Sequence, residues 1–167
     1  MDTIKVLKKS IRDYKLPSIL TPIFIIGEVV LETLIPTVMA VLIDEISKSI
    51  SMDPIIKYGL ILLAMALASL LCGFIAGKFA ATASCGYAKN LRHDMYYKTQ
   101  DFSFAEIDRF STSSLVTRLT TDVTNVQNAY QMIIRIAIRT PLMLIFAFVF
   151  SFRINWRIAL IFLAAMP

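Results

Sequence analysis

From Tyr58 to Gly77 the chain runs twenty residues without one charged side chain. A helix of that length rises about 30 Å, the thickness of a bilayer's hydrocarbon core. Inside lipid the backbone must satisfy its own hydrogen bonds, so such a run is a membrane-spanning helix. Composition agrees: 57% of residues are hydrophobic and 17% charged, whereas a soluble domain holds about 45–50% and about 25%. Disorder is excluded, because this much apolar surface collapses or inserts, and long apolar runs with almost no charge are not what an ordinary soluble globule carries.

Two further runs follow the same logic. Ser18 to Ile43 is long enough to span, although it carries Glu28, Glu32, Pro22 and Pro36. Thr140 to Phe152 is short, and reaches spanning length if its helix starts near Met132 and Arg135 and Arg139 snorkel to the interface. A fourth apolar segment opens near Trp156 and reaches Pro167, as expected of an incomplete gene product, a fragment or a split subunit. The expected spans are about 18–43, 58–84 and 114–152, the last including a part outside the membrane, with a fourth beginning near 156.

Ahead of the first span, Ile4, Leu7, Ile11 and Tyr14 recur at helical spacing, while Lys5, Lys8, Lys9 and Arg12 occupy the remaining surface. Residues 1–16 therefore read as an amphipathic helix lying on the membrane and ended by Pro17; the plainer alternative is a basic flank. A cleavable signal peptide is excluded, because the following apolar run is too long and lacks a small-residue cleavage site. The opening stretch holds five Lys or Arg, and Lys78 to Arg139 holds eight. Asp44 to Lys57 sets Asp44, Glu45 and Asp53 against Lys48 and Lys57. The positive-inside rule puts the N-terminus and the middle stretch in the cytoplasm of a multi-pass protein of the cell membrane, with Arg153 and Arg157 against the rule.

Leu115, Leu119, Val123, Val126, Tyr130 and Ile133 step by threes and fours without Gly or Pro into the third span. Ser84, Ala88, Leu91 and Met95 continue the second span in the same way. Both spans are expected to extend as helices into the cytoplasm; from Tyr58 to Ser103 the second would be about 70 Å long. They meet at a turn near Phe104 to Ser114, with Thr112, Ser113 and Ser114 as candidate N-caps. The fold class is an all-α membrane protein with long transmembrane helices.

Catalytic signatures are missing from this pattern. One histidine (His93), five glycines and no phosphate-binding glycine loop leave no nucleophile–base or metal-ligand constellation. His93 reads as a solvated residue, and Cys72 and Cys85 are about 20 Å apart along one helix, too far for a disulfide. Gly73 and Gly77 form a GxxxG motif that permits close helix packing. Glu28 and Glu32, four apart on one face of the first span, are the sharpest polar signal. Each costs about 2.5–3.5 kcal/mol at a helix centre, so neither faces lipid; they line a polar cavity or bond to a neighbouring helix. In the turn, Phe104, Ile107 and Phe110 alternate with Glu106, Asp108 and Arg109, as at a surface that buries against a partner protein; the plainer alternative is a turn packed on itself.

The run FAEIDRFSTSSLVTRLTTDVTNVQ, Phe104 to Gln127, resembles the first cytoplasmic loop of ATP-binding-cassette (ABC) exporters of the type I, bacterial multidrug kind. Phe110, Thr112, Leu115, Thr117, Arg118, Leu119, Asp122 and Val123 carry the pattern, with Ser113 where a glycine is frequent. LIDEI at Leu42–Ile46 and the surface "elbow" helix are similar to the family as well. The resemblance implies the first part of one transmembrane domain, residues 17–167, preceded by the elbow helix at 1–16. It implies a coupling helix at Phe104, Ala105, Glu106, Ile107, Asp108, Arg109 and Phe110 that docks on a nucleotide-binding domain. ATP and Mg belong to that domain, which is absent from this chain; the chain itself binds no cofactor. A second transmembrane half, identical or different, and the lipid bilayer complete the expected partners, and no nucleic acid is among them. Arg118 and Asp122, at i and i+4, are then expected to stiffen the hairpin. The competing readings are a non-transporting scaffold or regulatory subunit, and a nonfunctional truncated remnant.

Overall fold

The computed structural model describes residues 10–48, 52–103 and 111–154. All regular structure among them is helical. A 3-10 turn, Arg12–Tyr14, leads into α1 (Lys15–Lys48); α2 covers Met52–Gln100, α3 Thr112–Thr117 and α4 Val123–Ile154. A π-helical segment, Arg118–Asp122, joins α3 to α4. Three stretches are long and apolar enough to cross a membrane: Arg12–Lys48, Met52–Gln100 and Ser113–Arg153. The expected fourth segment, from about Trp156, lies outside the described residues.

The helices run further than the apolar cores that announce them. The expected outer loop is helical up to Lys48 and again from Met52. Pro54 is no obstacle, because the first turn of a helix has no use for the N–H that proline lacks. The same reason corrects the reading of Pro17. It is the third residue of α1 and so helps to start that helix, where it was expected to end the preceding one. Residues 1–9 of the expected elbow helix lie outside the described residues. Pro22 and Pro36 sit inside α1, as prolines do in membrane helices. Thr21, Ser18 and Thr33 turn their hydroxyls back onto carbonyls four residues earlier, at 2.9, 2.6 and 2.6 Å, which hides their polarity in an apolar stretch.

α2 ends at Gln100, three residues before the expected Ser103, and the Phe102 N–H closes a turn on the Thr99 carbonyl at 3.2 Å. The cap of α3 is Ser111, one residue ahead of the expected Thr112–Ser114: its Oγ accepts from the Ser114 N–H at 3.4 Å.

The described residues fall into two compact units. One draws on Met1–Pro22 and Ala76–Arg135. Its core is Tyr87, Ala88 and Leu91 of α2 with Val123 of α4, and Ile11, Met95, Val126 and Tyr130 pack around it. The α2 stripe thus lies inward, Ser84 included. The facing stripe holds through Tyr130 and fails at Ile133, which is 62% exposed. The π segment makes this stripe possible. Leu115, Leu119 and Val123 are spaced by two steps of four, which overshoot a 3.6-residue turn by about 80° in total. The wider turn absorbs the surplus residue, with the Val123 N–H reaching back five residues to the Arg118 carbonyl. Arg118 and Asp122 are the two ends of this π segment.

The other unit draws on Ile23–Ile75 and Ile136–Pro167. Ile25 and Val29 of α1 and Ser69 of α2 are buried there, while Leu70 and Phe74 stand 68% and 72% exposed. That surface, unfavourable in water, is ordinary against lipid acyl chains. Gly27 lies 3.7 Å, measured from an added Cβ, from the Cys72 Sγ.

Candidate functional site

In the unit built from Ile23–Ile75 and Ile136–Pro167, three charges meet in the apolar part of the chain. Arg139 of α4 donates from one terminal nitrogen to Glu28 Oε1 at 2.7 Å. The other nitrogen forks across both oxygens of Glu32, at 3.1 and 2.9 Å. The i, i+4 spacing on α1 makes this possible, because it stacks the two carboxylates on one face within reach of a single planar guanidinium. Arg139 therefore does not snorkel to the interface as expected. A paired guanidinium between two carboxylates is better off than one stretched through lipid. Arg135, one turn earlier, is exposed.

The carboxylates are not equivalent. Glu28 is 12% exposed and Glu32 33%. Gly73 of α2 contributes to the deeper seat: a Cβ there would stand 3.0 Å from Glu28 Oε1, a tight contact that the bare glycine avoids. That is the close approach which the GxxxG motif provides, and it occurs at Gly73 alone; a Cβ on Gly77 would meet open space. Glu32 looks onto a groove of about 590 Å³. On α1 its wall continues through Thr33, Pro36, Thr37 and Ala40. On α4 the wall is Met143, Ala147, Phe150 and Arg153. The lining is mostly apolar, with Glu32 and Arg153 its charged members.

A second polar network ties the N-terminal segment to α2 and α4 in the unit of Met1–Pro22 and Ala76–Arg135. Arg12 pairs with Asp94 at 2.6 Å, Ser10 Oγ donates to the other oxygen of Asp94 at 3.2 Å, and Asn90 donates to the Ser10 carbonyl at 2.9 Å. The Tyr14 ring lies over Gly86, whose missing side chain makes the space. Tyr130 stacks on Tyr87 at 4.6 Å between ring centroids and shares a 2.8 Å hydrogen bond with Ser18. His93 is solvated at 57% exposure, beside Asp94 and Tyr97. A small groove of about 150 Å³ lies among Met95, Lys98, Phe102, Leu115 and Leu119, with Arg118 on its rim.

Of the residues singled out in the sequence, the structure brings Glu28 and Glu32 together. Leu115, Arg118 and Leu119 share the small groove, and Asp122 closes the π segment. Thr112 opens α3. Phe104, Ala105, Glu106, Ile107, Asp108, Arg109 and Phe110, the expected coupling helix, lie outside the described residues. Among those described, no three His, Cys, Asp or Glu gather as metal ligands, and both cysteines are free thiols. Sequence reasoning missed Arg139 as the partner of both acids, and it missed Asp94, Ser18 and Tyr130. For Arg139 the signal was available: two acids in one span and a basic residue in another demand each other.

Comparison with known proteins agrees with this architecture. The model of the family described as "ABC transporter transmembrane region" matches residues 18–167. An uncharacterized ABC transporter ATP-binding protein of Bacillus subtilis, YfiB, is 29% identical over 94% of this chain and 27% of its own length. An ATP-dependent lipid A-core flippase of Aromatoleum aromaticum is 30% identical over 57% of this chain and 16% of its own. The corresponding flippase of Pseudomonas aeruginosa is 31% identical over 56% and 16%. The chain thus spans about a quarter or less of the length of these relatives. With the family match covering three spans of an all-helical, multi-pass membrane protein, the chain belongs to the transmembrane region family of ABC transporters.

Proposed function

We propose that this chain is the membrane-spanning, substrate-translocating part of an ATP-driven exporter. The family match over residues 18–167 is the observation that carries the reading. ATP and Mg are held by a nucleotide-binding domain, and a second transmembrane half, identical or different, completes the pathway. The N-terminus and the tip between α2 and α3 face the cytoplasm, because thirteen of the seventeen Lys and Arg fall in those stretches. Phe104–Phe110 docks on the nucleotide-binding domain. Closure of that domain pulls on the tip, and α2 and α4 carry the displacement into the membrane. Their stripes supply the stiffness this demands: Ala88, Leu91 and Val123 are buried with 9% exposure or less. Glu28 and Glu32 belong to the wall of the translocation pathway, where an intramembrane charge has its usual place.

The test is a loss of coupling at the tip. In the assembly with its ATPase, Phe104→Asp or Phe110→Asp is expected to lower substrate-stimulated ATP hydrolysis and transport at least tenfold while leaving membrane insertion intact. Unchanged coupling in both variants would discard the docking role.

A further inference from the structure

We propose that Asp94 is a positioning residue: it clasps the N-terminal segment to α2, so that the first turns of α1, up to Pro22, move with the α2–α4 hairpin as one body. The inference rests on the transport reading for its purpose, and on the unit of Met1–Pro22 and Ala76–Arg135 for its geometry.

Gly86, Asn90 and Asp94 recur every fourth residue, so they share one face of α2. The N-terminal segment meets that face at each of them. Tyr14 lies over Gly86, and the Asn90 amide donates to the Ser10 carbonyl at 2.9 Å. Asp94 is engaged twice, by the Arg12 guanidinium on Oδ1 at 2.6 Å and by the Ser10 hydroxyl on Oδ2 at 3.2 Å. One turn past Tyr14, Ser18 of α1 bonds the Tyr130 hydroxyl of α4 at 2.8 Å, and Tyr130 stacks on Tyr87. The start of α1 is thereby tied to both arms of the hairpin.

Two observations single out Asp94 among these contacts. Arg12 has a φ of 38°, a left-handed backbone that a residue with a Cβ adopts only at a cost. Such a conformation persists where its surroundings impose it, and the Arg12 side chain is held by Asp94. Exposure of the pair, 42% and 33%, makes its charge attraction alone worth little. What the carboxylate supplies is geometry: two acceptor oxygens that fix Ser10 and Arg12 at once, on either side of Ile11. Ile11 is thus seated against the core of Tyr87, Ala88, Leu91 and Val123. An asparagine, with one acceptor oxygen, cannot hold both neighbours.

Spin labels on cysteines at Leu16 and Gln100, exposed positions of α1 and α2, read the clasp as a distance distribution, with Cys72 and Cys85 replaced by alanine. In the full chain in nanodiscs the distribution is expected to be narrow, and Asp94→Asn to broaden it at least twofold. Arg12→Gln is expected to do the same, and keeps the test valid if Asp94→Asn does not insert. In the assembly with its ATPase, the parent distance is expected to be the same without nucleotide and after trapping with ATP and vanadate. A cysteine at Thr37, further along α1, reports what the clasp passes on. The ATP-dependent change in its rate of alkylation by N-ethylmaleimide is expected to fall at least fivefold in Asp94→Asn. A parent distance that shifts on trapping, or variants as narrow as the parent, overturns the proposal. So does a Thr37 response that survives a broadened distribution, since Asp94 would then hold the segment without positioning α1. The distribution without nucleotide is read without any ATPase, so the clasp and the docking role of Phe104–Phe110 can fail separately.

Discussion

Arg139 forks between Glu28 and Glu32, and its removal changes far more than one pair. Two carboxylates four residues apart would be left facing each other at membrane depth without a counter-charge. Breaking a fully buried pair costs about 3–5 kcal/mol; partial exposure of Arg139 and Glu32 puts Arg139→Leu below that range. Thermal unfolding of the purified chain should register a clear loss for Arg139→Leu. It should recover most of that loss in the triple variant Glu28→Gln, Glu32→Gln, Arg139→Leu, where no charge is stranded. If the triple variant is no more stable than Arg139→Leu, the triad does not act as one electrostatic unit. Gly73 belongs to the same argument, since its bare Cα is what admits Glu28. Both acids stood out in the sequence because charges in apolar runs are conspicuous. Their partner did not, because a basic residue near the start of a span has an easy alternative in snorkelling, and only the position of α4 beside α1 decides against it.

Among the elements, the π segment shows how a local irregularity serves a regular packing face. Steps of four from Leu115 to Val123 do not fit a uniform α-helix, and the extra residue in Arg118–Asp122 reconciles them. Deleting Thr121 should convert the segment to α-helix and turn Leu115 and Leu119 by about 100° away from the face of Val123. Cysteines at positions 95 and 119, both on the small groove, should be joined by a short bifunctional maleimide in the parent chain and not in the deletion. Cross-linking that survives the deletion would mean that the π turn does not set the register. The stripe was legible as periodicity; the π turn was not, because a hydrogen bond that skips one more residue leaves no mark on composition. The helix ends moved for a similar reason. Pro17 carries the same sequence signal as a terminator and as a first-turn residue, and only the backbone distinguishes them.

For the molecule as a whole, the charge asymmetry makes a topological prediction. A cysteine at Ile107 should react with an impermeant maleimide only from the cytoplasmic side, and one at Asp53 only from outside. Labelling of position 107 from outside would reverse the orientation and remove the docking role of the tip. The amino-acid sequence by itself determined the class of the protein, its three spans and its long helical stripes. Those follow from hydrocarbon thickness and helical period, which act on each segment independently of its neighbours. Tertiary structure alone decided that Arg139 closes on both acids, that Asp94 holds the N-terminal segment through Arg12 and Ser10, and that Glu32 opens onto a groove. Each of these joins residues some eighty to one hundred and ten positions apart, and electrostatic attraction at such separations along the chain acts only once packing has brought the helices together.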